Sequence, residues 1–142
     1  LSEITLAQFR VYGAALPTVL KKRAEHVVSE CERVNMAAKA LQAGNMERLG
    51  MLLNLSHRSL SELYEVTGEE LDALVAAAQN QDCCLGSRMI GGGFGGCTIS
   101  LVKKEQTEEF QEKVYNEYLK QTGYGAKFYE TEVSDGIITE KL

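Results

Sequence analysis

The sequence predicts an α+β fold in which helices pack on one face of a mostly antiparallel sheet. Apolar residues recur at helical spacing through the first half of the chain. Two segments suited to strands then flank a dense glycine cluster, and one more helical segment follows. Helices and strands that are segregated in this way favour an α+β fold over a parallel α/β sheet.

Length and composition set the first limits. With 142 residues, 44% of them hydrophobic and 25% charged, residues 1–142 suit a single globular domain. The net charge of −5 argues against a dedicated nucleic-acid-binding protein. No apolar run approaches the roughly 20 residues that span a bilayer, and no signal-peptide pattern is present. We therefore expect a cytoplasmic protein without nucleic-acid or membrane partners.

The start of the chain suggests a fragment. Residue 1 is leucine, and the stretch LSEITLAQF reads like the interior of a longer sequence. We therefore expect a piece of a larger protein.

Metal binding is not predicted. The thiol and imidazole side chains do not follow zinc-ligand spacing, because no CxxC pair occurs and the histidines lie far from the cysteines. These residues are Cys31, Cys83, Cys84, Cys97, His26 and His57. We expect free, mostly buried thiols and no metal site.

Three helices are predicted in the first part of the chain. Thr5 caps a short helix that reaches Tyr12. An apolar stripe over residues 20–41 indicates a helix of about six turns, which Gly44 ends. Asn45 caps the next helix, whose end is predicted near residues 60–64.

The remaining elements surround the glycine cluster. The sequence TGEE is predicted to form a capping box between Thr67 and Glu70 at the start of another helix. Strands are expected over residues 85–90 and 97–102. A long helix over residues 105–122 follows, and two further strands are predicted at residues 126–131 and 136–139.

The glycine cluster is the strongest sequence signal. MIGGGFGGCTI places five of the chain's 13 glycines within six positions, and the loop comprises Gly91, Gly92, Gly93, Phe94, Gly95 and Gly96. A dinucleotide motif needs a following helix, but a strand follows here. A P-loop needs lysine where Cys97 stands. A protein-kinase loop would need downstream motifs that this chain does not contain.

Two interpretations of the loop therefore remain open. Its backbone N–H groups could form a concave site for phosphate or nucleotide, or it could be a tight structural hairpin. Phe94 is expected to anchor the loop by packing, with a lid over a ligand as the alternative.

Several residues beside the loop are candidates for a supporting role. Ser87, Arg88 and Cys97 lie next to it in sequence. Arg88 either steadies phosphate or forms a salt bridge with a surface carboxylate. His57 is expected to cap a helix or lie on the surface, with a substrate contact as the alternative. His26 is expected to be structural.

Four segments together resemble a known family. GSRMIGGGFGGCTISLV resembles the third signature motif of galactokinases, a branch of the GHMP kinase superfamily. Three further segments are similar to other parts of galactokinases, and all four occur in the order found in that family. The three are KKRAEHVVSECERV, SHRSLSELYEVTGEELDALV and FYETEVSDGI. The resemblance covers nearly the whole chain. One position departs from it, because Ile90 stands where galactokinases commonly have threonine.

The resemblance implies a ferredoxin-like GHMP kinase C-terminal domain with additional N-terminal helices. It also implies an intact enzyme that uses ATP and Mg to phosphorylate galactose to galactose 1-phosphate, with the glycine loop lining the nucleotide cleft. The family's first two motifs and its catalytic aspartate and arginine are not found in this chain. We therefore expect no catalytic role for Asp72, Asp82 or Asp135, magnesium ligands outside this chain, and no activity without the N-terminal kinase domain.

Two alternatives stay open. Another GHMP kinase with a different small-molecule acceptor would share these motifs. A separate regulatory domain could instead use the glycine loop to bind a metabolite.

Overall fold

A computed structural model describes residues 1–132, which form five α-helices and a two-stranded antiparallel sheet. In chain order the elements are α1 (Leu6–Tyr12), α2 (Thr18–Gln42), α3 (Met46–Ser59), α4 (Glu69–Gln79), β1 (Cys84–Met89), β2 (Thr98–Val102) and α5 (Thr107–Thr122). The predicted α+β class is confirmed. The strand predicted at residues 136–139 lies outside the described residues.

Two of the predicted helix caps are confirmed. The Thr5 hydroxyl accepts a hydrogen bond from the Gln8 N–H at 3.2 Å, while the Gln8 side chain accepts from the Thr5 N–H at 2.9 Å. The Asn45 side chain accepts from the Arg48 N–H at 2.8 Å. These contacts satisfy backbone donors that the first turn of a helix leaves unpaired.

The capping box predicted at the start of α4 is wrong. Gly68 is the N-cap residue and no side chain caps this helix. Thr67 lies one residue too early and is buried at 3% exposure. Gly68 has a φ of 83°, which favours glycine, so the chain enters the helix through a turn that the TGEE pattern did not reveal.

Small apolar clusters connect the elements. Between α4, α5 and the strand region lie Ala77, Ala78, Cys83, Phe110 and Val114. A second cluster joins Leu60 and Leu71 to Met89, the last residue of β1. The glycine loop therefore begins directly at a packed part of the molecule.

The strand predicted at residues 126–131 is wrong, because this segment has no regular secondary structure. Its apolar side chain Phe128 packs against the cluster between α4 and α5. Gln111 of α5 donates a hydrogen bond to Glu130 at 3.1 Å. Phe128 therefore packs against the cluster between α4 and α5, where the prediction expected it to pack in a sheet.

The two strands pair with a defined register. Ser87 lies opposite Ser100 and Met89 lies opposite Thr98, with a bulge between Cys84 and Gly86. Met89 is buried at 2% exposure, whereas Ile99 on β2 is 44% exposed. Because side chains alternate between the two faces of a strand, one face is covered and the other is partly open.

Helix α3 packs unusually close to β1. A Cβ atom placed on Gly50 would lie 2.0 Å from the Leu85 carbonyl oxygen. A Cβ atom on Gly86 would lie 2.1 Å from the Gly50 carbonyl oxygen. The two backbones therefore meet at a point where neither chain has room for a side chain.

Candidate functional site

The glycine loop joins β1 to β2 and presents its backbone to an open surface. The Ile90 N–H donates to the Cys97 carbonyl at 2.9 Å and closes the hairpin. Four of the five glycines have nothing within 4 Å of a Cβ position; these are Gly91, Gly92, Gly95 and Gly96. In the described part of the chain, nothing covers this backbone.

Gly93 is the exception within the loop. A Cβ atom there would lie 2.0 Å from the Val66 carbonyl oxygen, and the residue has a φ of +81°. The next residue, Phe94, donates its N–H to the same carbonyl at 3.1 Å. The loop is therefore fixed at its centre to the segment that precedes α4, while the backbone on either side is open.

The loop carries a set of unused hydrogen-bond donors. Among residues 1–132, none of the five glycine N–H groups has a backbone acceptor. Successive N–H groups in a turn create a concave, partly positive site that suits an anion. This arrangement is the main chemical feature of the site.

Phe94 does not anchor the loop. Its side chain is 81% exposed, and its φ of 56° turns the backbone away from extended geometry. The prediction that Phe94 packs as an anchor is therefore wrong. The hydrogen bond from its N–H to Val66 holds the loop instead.

Ser87 is enclosed by side chains from two helices. Asn54 of α3 accepts from the Ser87 N–H at 2.8 Å, and Gln79 of α4 donates to the Ser87 carbonyl at 3.1 Å. The Ser87 hydroxyl lies 2.9 Å from that of Ser100 on β2. With 0% exposure, Ser87 has no face toward the open loop.

Met89 is held in the same manner, two residues further along the strand. His57 Nδ1 of α3 accepts from the Met89 N–H at 3.2 Å. Arg88 Nε donates to the Met89 carbonyl at 2.8 Å. Side chains therefore satisfy the outer edge of β1 where a further strand would otherwise pair.

His57 is buried at 7% exposure, so the expected capping or surface role is wrong. Its Nε2 lies 3.2 Å from Asp72 Oδ1 on α4, and Ser61 donates to the other Asp72 oxygen at 3.0 Å. Burial lowers the pKa of His57, although the Asp72 carboxylate acts to raise it. A neutral imidazole with one acceptor nitrogen results.

Sequence reasoning missed this role, although a signal existed. Gly50, Asn54 and His57 follow the i, i+4, i+7 spacing of one helix face. All three contact β1, but glycine, asparagine and histidine do not form the apolar stripe that usually identifies a packed face.

Arg88 and Cys97 occupy different surroundings. Arg88 Nη1 lies 4.0 Å from Glu30 on α2, and burial lowers the pKa of its guanidinium group. This geometry favours the salt-bridge alternative. Cys97 is an exposed free thiol at the exit of the loop. Cys84, at the start of β1, is partly buried, and this burial raises the pKa of its thiol to about 11.

His26 is buried, as its expected structural role requires. Its Nδ1 lies 2.8 Å from the Ser59 hydroxyl, and its ring stacks on Tyr64. Glu65, the next residue, has a φ of 59° and forms ion pairs with Lys22 and Arg23. These contacts fix the backbone immediately before Val66.

The remaining candidate features lie away from the loop. Two surface cavities have volumes of about 570 and 450 Å³, and no loop glycine lines either of them. The smaller cavity is lined by Asn54, His57 and Asp72 among other residues of α3 and α4. Within residues 1–132, no group of three or more acidic, histidine or cysteine side chains could hold a metal ion. None of the helices in this range combines the length and apolar composition that crossing a bilayer requires.

Known proteins resemble the chain closely. Galactokinase from Enterococcus faecalis is 50% identical over 137 residues, which cover 96% of this chain and 35% of that protein. Galactokinase from Staphylococcus saprophyticus is 46% identical over 138 residues, covering 96% of this chain and 36% of that protein. The chain thus spans about a third of the length of these curated relatives.

A solved structure shows the same fold. The crystal structure of Lactococcus lactis galactokinase complexed with galactose matches 90% of this chain and 33% of that one, with a TM-score of 0.87 and 44% identity. The family described as GHMP kinases C terminal matches residues 37–121, which include α3, α4, the loop and most of α5. The chain therefore belongs to the family of GHMP kinase C-terminal domains.

Proposed function

We propose that this chain is the C-terminal domain of a galactokinase, which phosphorylates galactose to galactose 1-phosphate with ATP. Relatives that match nearly the whole chain are galactokinases, and one of them is complexed with galactose. The observation that carries the proposal is the bare loop, whose five glycine N–H groups have no backbone acceptor among residues 1–132.

The loop is suited to contact phosphate through its backbone. ATP, when bound, supplies the phosphoryl group. The chain has a net charge of −5, so the favourable local field at the loop comes from amide dipoles. The Val66 contact fixes the centre of the loop, between the donors on either side of it. We assign the loop to binding and orienting phosphate groups and to excluding water.

The rest of the active site is proposed to lie in an N-terminal kinase domain. Catalysis of phosphoryl transfer rests on positioning and charge stabilisation by several groups together. We assign the magnesium site, with the sugar pocket and the catalytic carboxylate, to that domain. The chain alone is then inactive, and the intact enzyme works in the cytoplasm.

Two matched glycines test the role of the loop. Gly91 and Gly44 have φ values of +76° and +64°, and each has open space around a Cβ position. Gly91→Ala and Gly44→Ala should therefore each destabilise the fold by a similar amount, about 1 kcal/mol. In the full-length protein, galactose-dependent ADP release should fall at least about tenfold in kcat/KM for ATP with Gly91→Ala only, because small misplacements strongly affect phosphoryl transfer.

Equal activity in the two variants would instead show that the loop is only a structural hairpin. A panel of acceptor sugars and alcohols separates galactokinase from another small-molecule GHMP kinase. Tight ATP binding by residues 1–142 alone, without kinase activity in the full-length protein, would indicate a regulatory domain.

A further inference from the structure

We propose that His57 is the positioning residue of the glycine loop, because it holds the Met89 backbone from which the loop departs. This inference rests on the proposed phosphate-binding role of the loop. His57 is buried and bonds to the Met89 N–H in β1, so it acts on the loop through Met89.

Met89 transmits this contact to the loop. Its N–H is held by His57, its carbonyl by Arg88, and its side chain is 2% exposed. Its sulfur would lie 3.4 Å from a Cβ atom at Gly93. A shift of Met89 therefore reaches both the first residues of the loop and its fixed centre.

The hydrogen bond also defines the state of the imidazole ring. The Met89 N–H can only donate, so Nδ1 must be unprotonated and the proton lies on Nε2. That nitrogen faces Asp72 at 3.2 Å, and Ser61 holds the second oxygen of the carboxylate. The nearby carboxylate favours the tautomer with its proton on Nε2, which leaves Nδ1 as the acceptor that faces β1.

Three elements therefore converge on the start of the loop. His57 comes from the last turn of α3, Asp72 from the first turn of α4, and Ser61 from the π-helical turn Leu60–Tyr64 between them. A side-chain acceptor sets one backbone position of β1 relative to two helices. A purely apolar contact would not define that position with the same directionality.

Replacing the ring tests the inference. His57→Leu removes the acceptor at similar volume, while the Asn in His57→Asn places an amide oxygen near the former Nδ1. Val114→Ala is the control, because it also destabilises a fully buried site but lies on α5, in the cluster away from the loop. All variants are made in the full-length protein.

Two readouts are measured for each variant. One is hydrogen exchange of the Met89 and Phe94 amides, and the other is kcat/KM for ATP. We expect His57→Leu to lose protection at both amides and about tenfold in kcat/KM. His57→Asn should recover most of both effects, while Val114→Ala, compared at equal thermal stability, should change neither selectively.

These measurements test the positioning role of His57 separately from the proposed function. If His57→Leu behaves like Val114→Ala, or if His57→Asn recovers nothing, the positioning role is overturned. If the wild-type full-length protein does not phosphorylate galactose, the proposed function fails, while amide exchange still tests whether His57 positions the loop.

Discussion

Glycines serve opposite purposes at the two ends of β1. At its beginning, Gly86 meets Gly50 of α3 so closely that a Cβ atom on either residue would overlap a carbonyl group. At its end, Gly91 and Gly95 have open space around them and positive φ values. The first pair allows two backbones to pack, while the second leaves a backbone unprotected.

This difference shows why counting glycines does not identify a site. Glycine weakens regular structure in both regions, because it loses more conformational freedom on folding than any other residue. At Gly50 and Gly86, the van der Waals contacts between the two closely packed backbones offset this loss. Within residues 1–132, the outer positions of the loop have no comparable contact, so packing in this range does not stabilise them.

The largest effect is expected where glycine allows packing. Gly50→Ala should lower the free energy of unfolding by about 3 kcal/mol or more, because the added methyl group would overlap the Leu85 carbonyl and force helix and strand apart. Equilibrium unfolding in urea measures this change.

Gly44→Ala is the control, since its Cβ position is open. A loss with Gly50→Ala no larger than with Gly44→Ala would remove the basis of the comparison. It would mean that α3 can move away from β1 at little energetic expense.

Much of the fold could be predicted because local signals agreed with it. Regular apolar spacing and the side-chain caps at Thr5 and Asn45 defined helices, and β-branched residues defined β2. The prediction for residues 126–131 failed because an apolar segment near a sheet can equally pack on a helix, as Phe128 does. Local composition does not distinguish the two partners.

The site could be predicted only in part. The glycine density indicated the loop, but whether Phe94 packs or is exposed depends on which surface lies next to it. The role of His57 depends on a hydrogen bond between residues 32 positions apart in sequence. Such contacts are set by how α3 crosses β1. The spacing of Gly50, Asn54 and His57 marks one face of α3, but it does not say which element that face contacts.

A change in pH should affect the loop end of β1 more than the packed end. Burial lowers the pKa of His57 below its ordinary value of 6.5; Asp72 on α4 raises it, and Arg88 on β1 lowers it further. Between the folded-state pKa and 6.5, the unfolded chain binds more protons, so stability rises with pH. The stability that depends on a neutral His57 is fully present above pH 6.5, and it is lost as the pH falls toward the folded-state pKa.

Protonation of His57 Nδ1 would also place two hydrogen-bond donors, the ring N–H and the Met89 N–H, opposite each other. We therefore expect the Met89 amide to lose protection on acidification, after correction for intrinsic exchange rates. The contact made by Gly50, Leu85 and Gly86 has no titrating side chain and should not respond locally. Burial, and after it Arg33, lowers the pKa of His26 as well, so His26 also makes the global stability fall on acidification. In His57→Asn, therefore, only the local loss of protection at Met89 should vanish.

The smallest effect on stability is expected at Phe94. Because its side chain is 81% exposed, Phe94→Ala should change the free energy of unfolding of the isolated chain by no more than about 0.5 kcal/mol. In the full-length protein the same change should raise KM for ATP by about fivefold, if ligand or the other domain buries the ring. Tyr129→Ala, at 73% exposure and outside the loop, is the matched control. An unchanged KM in both variants would mean that Phe94 stays in solvent and that contact at this surface is made by the loop backbone alone.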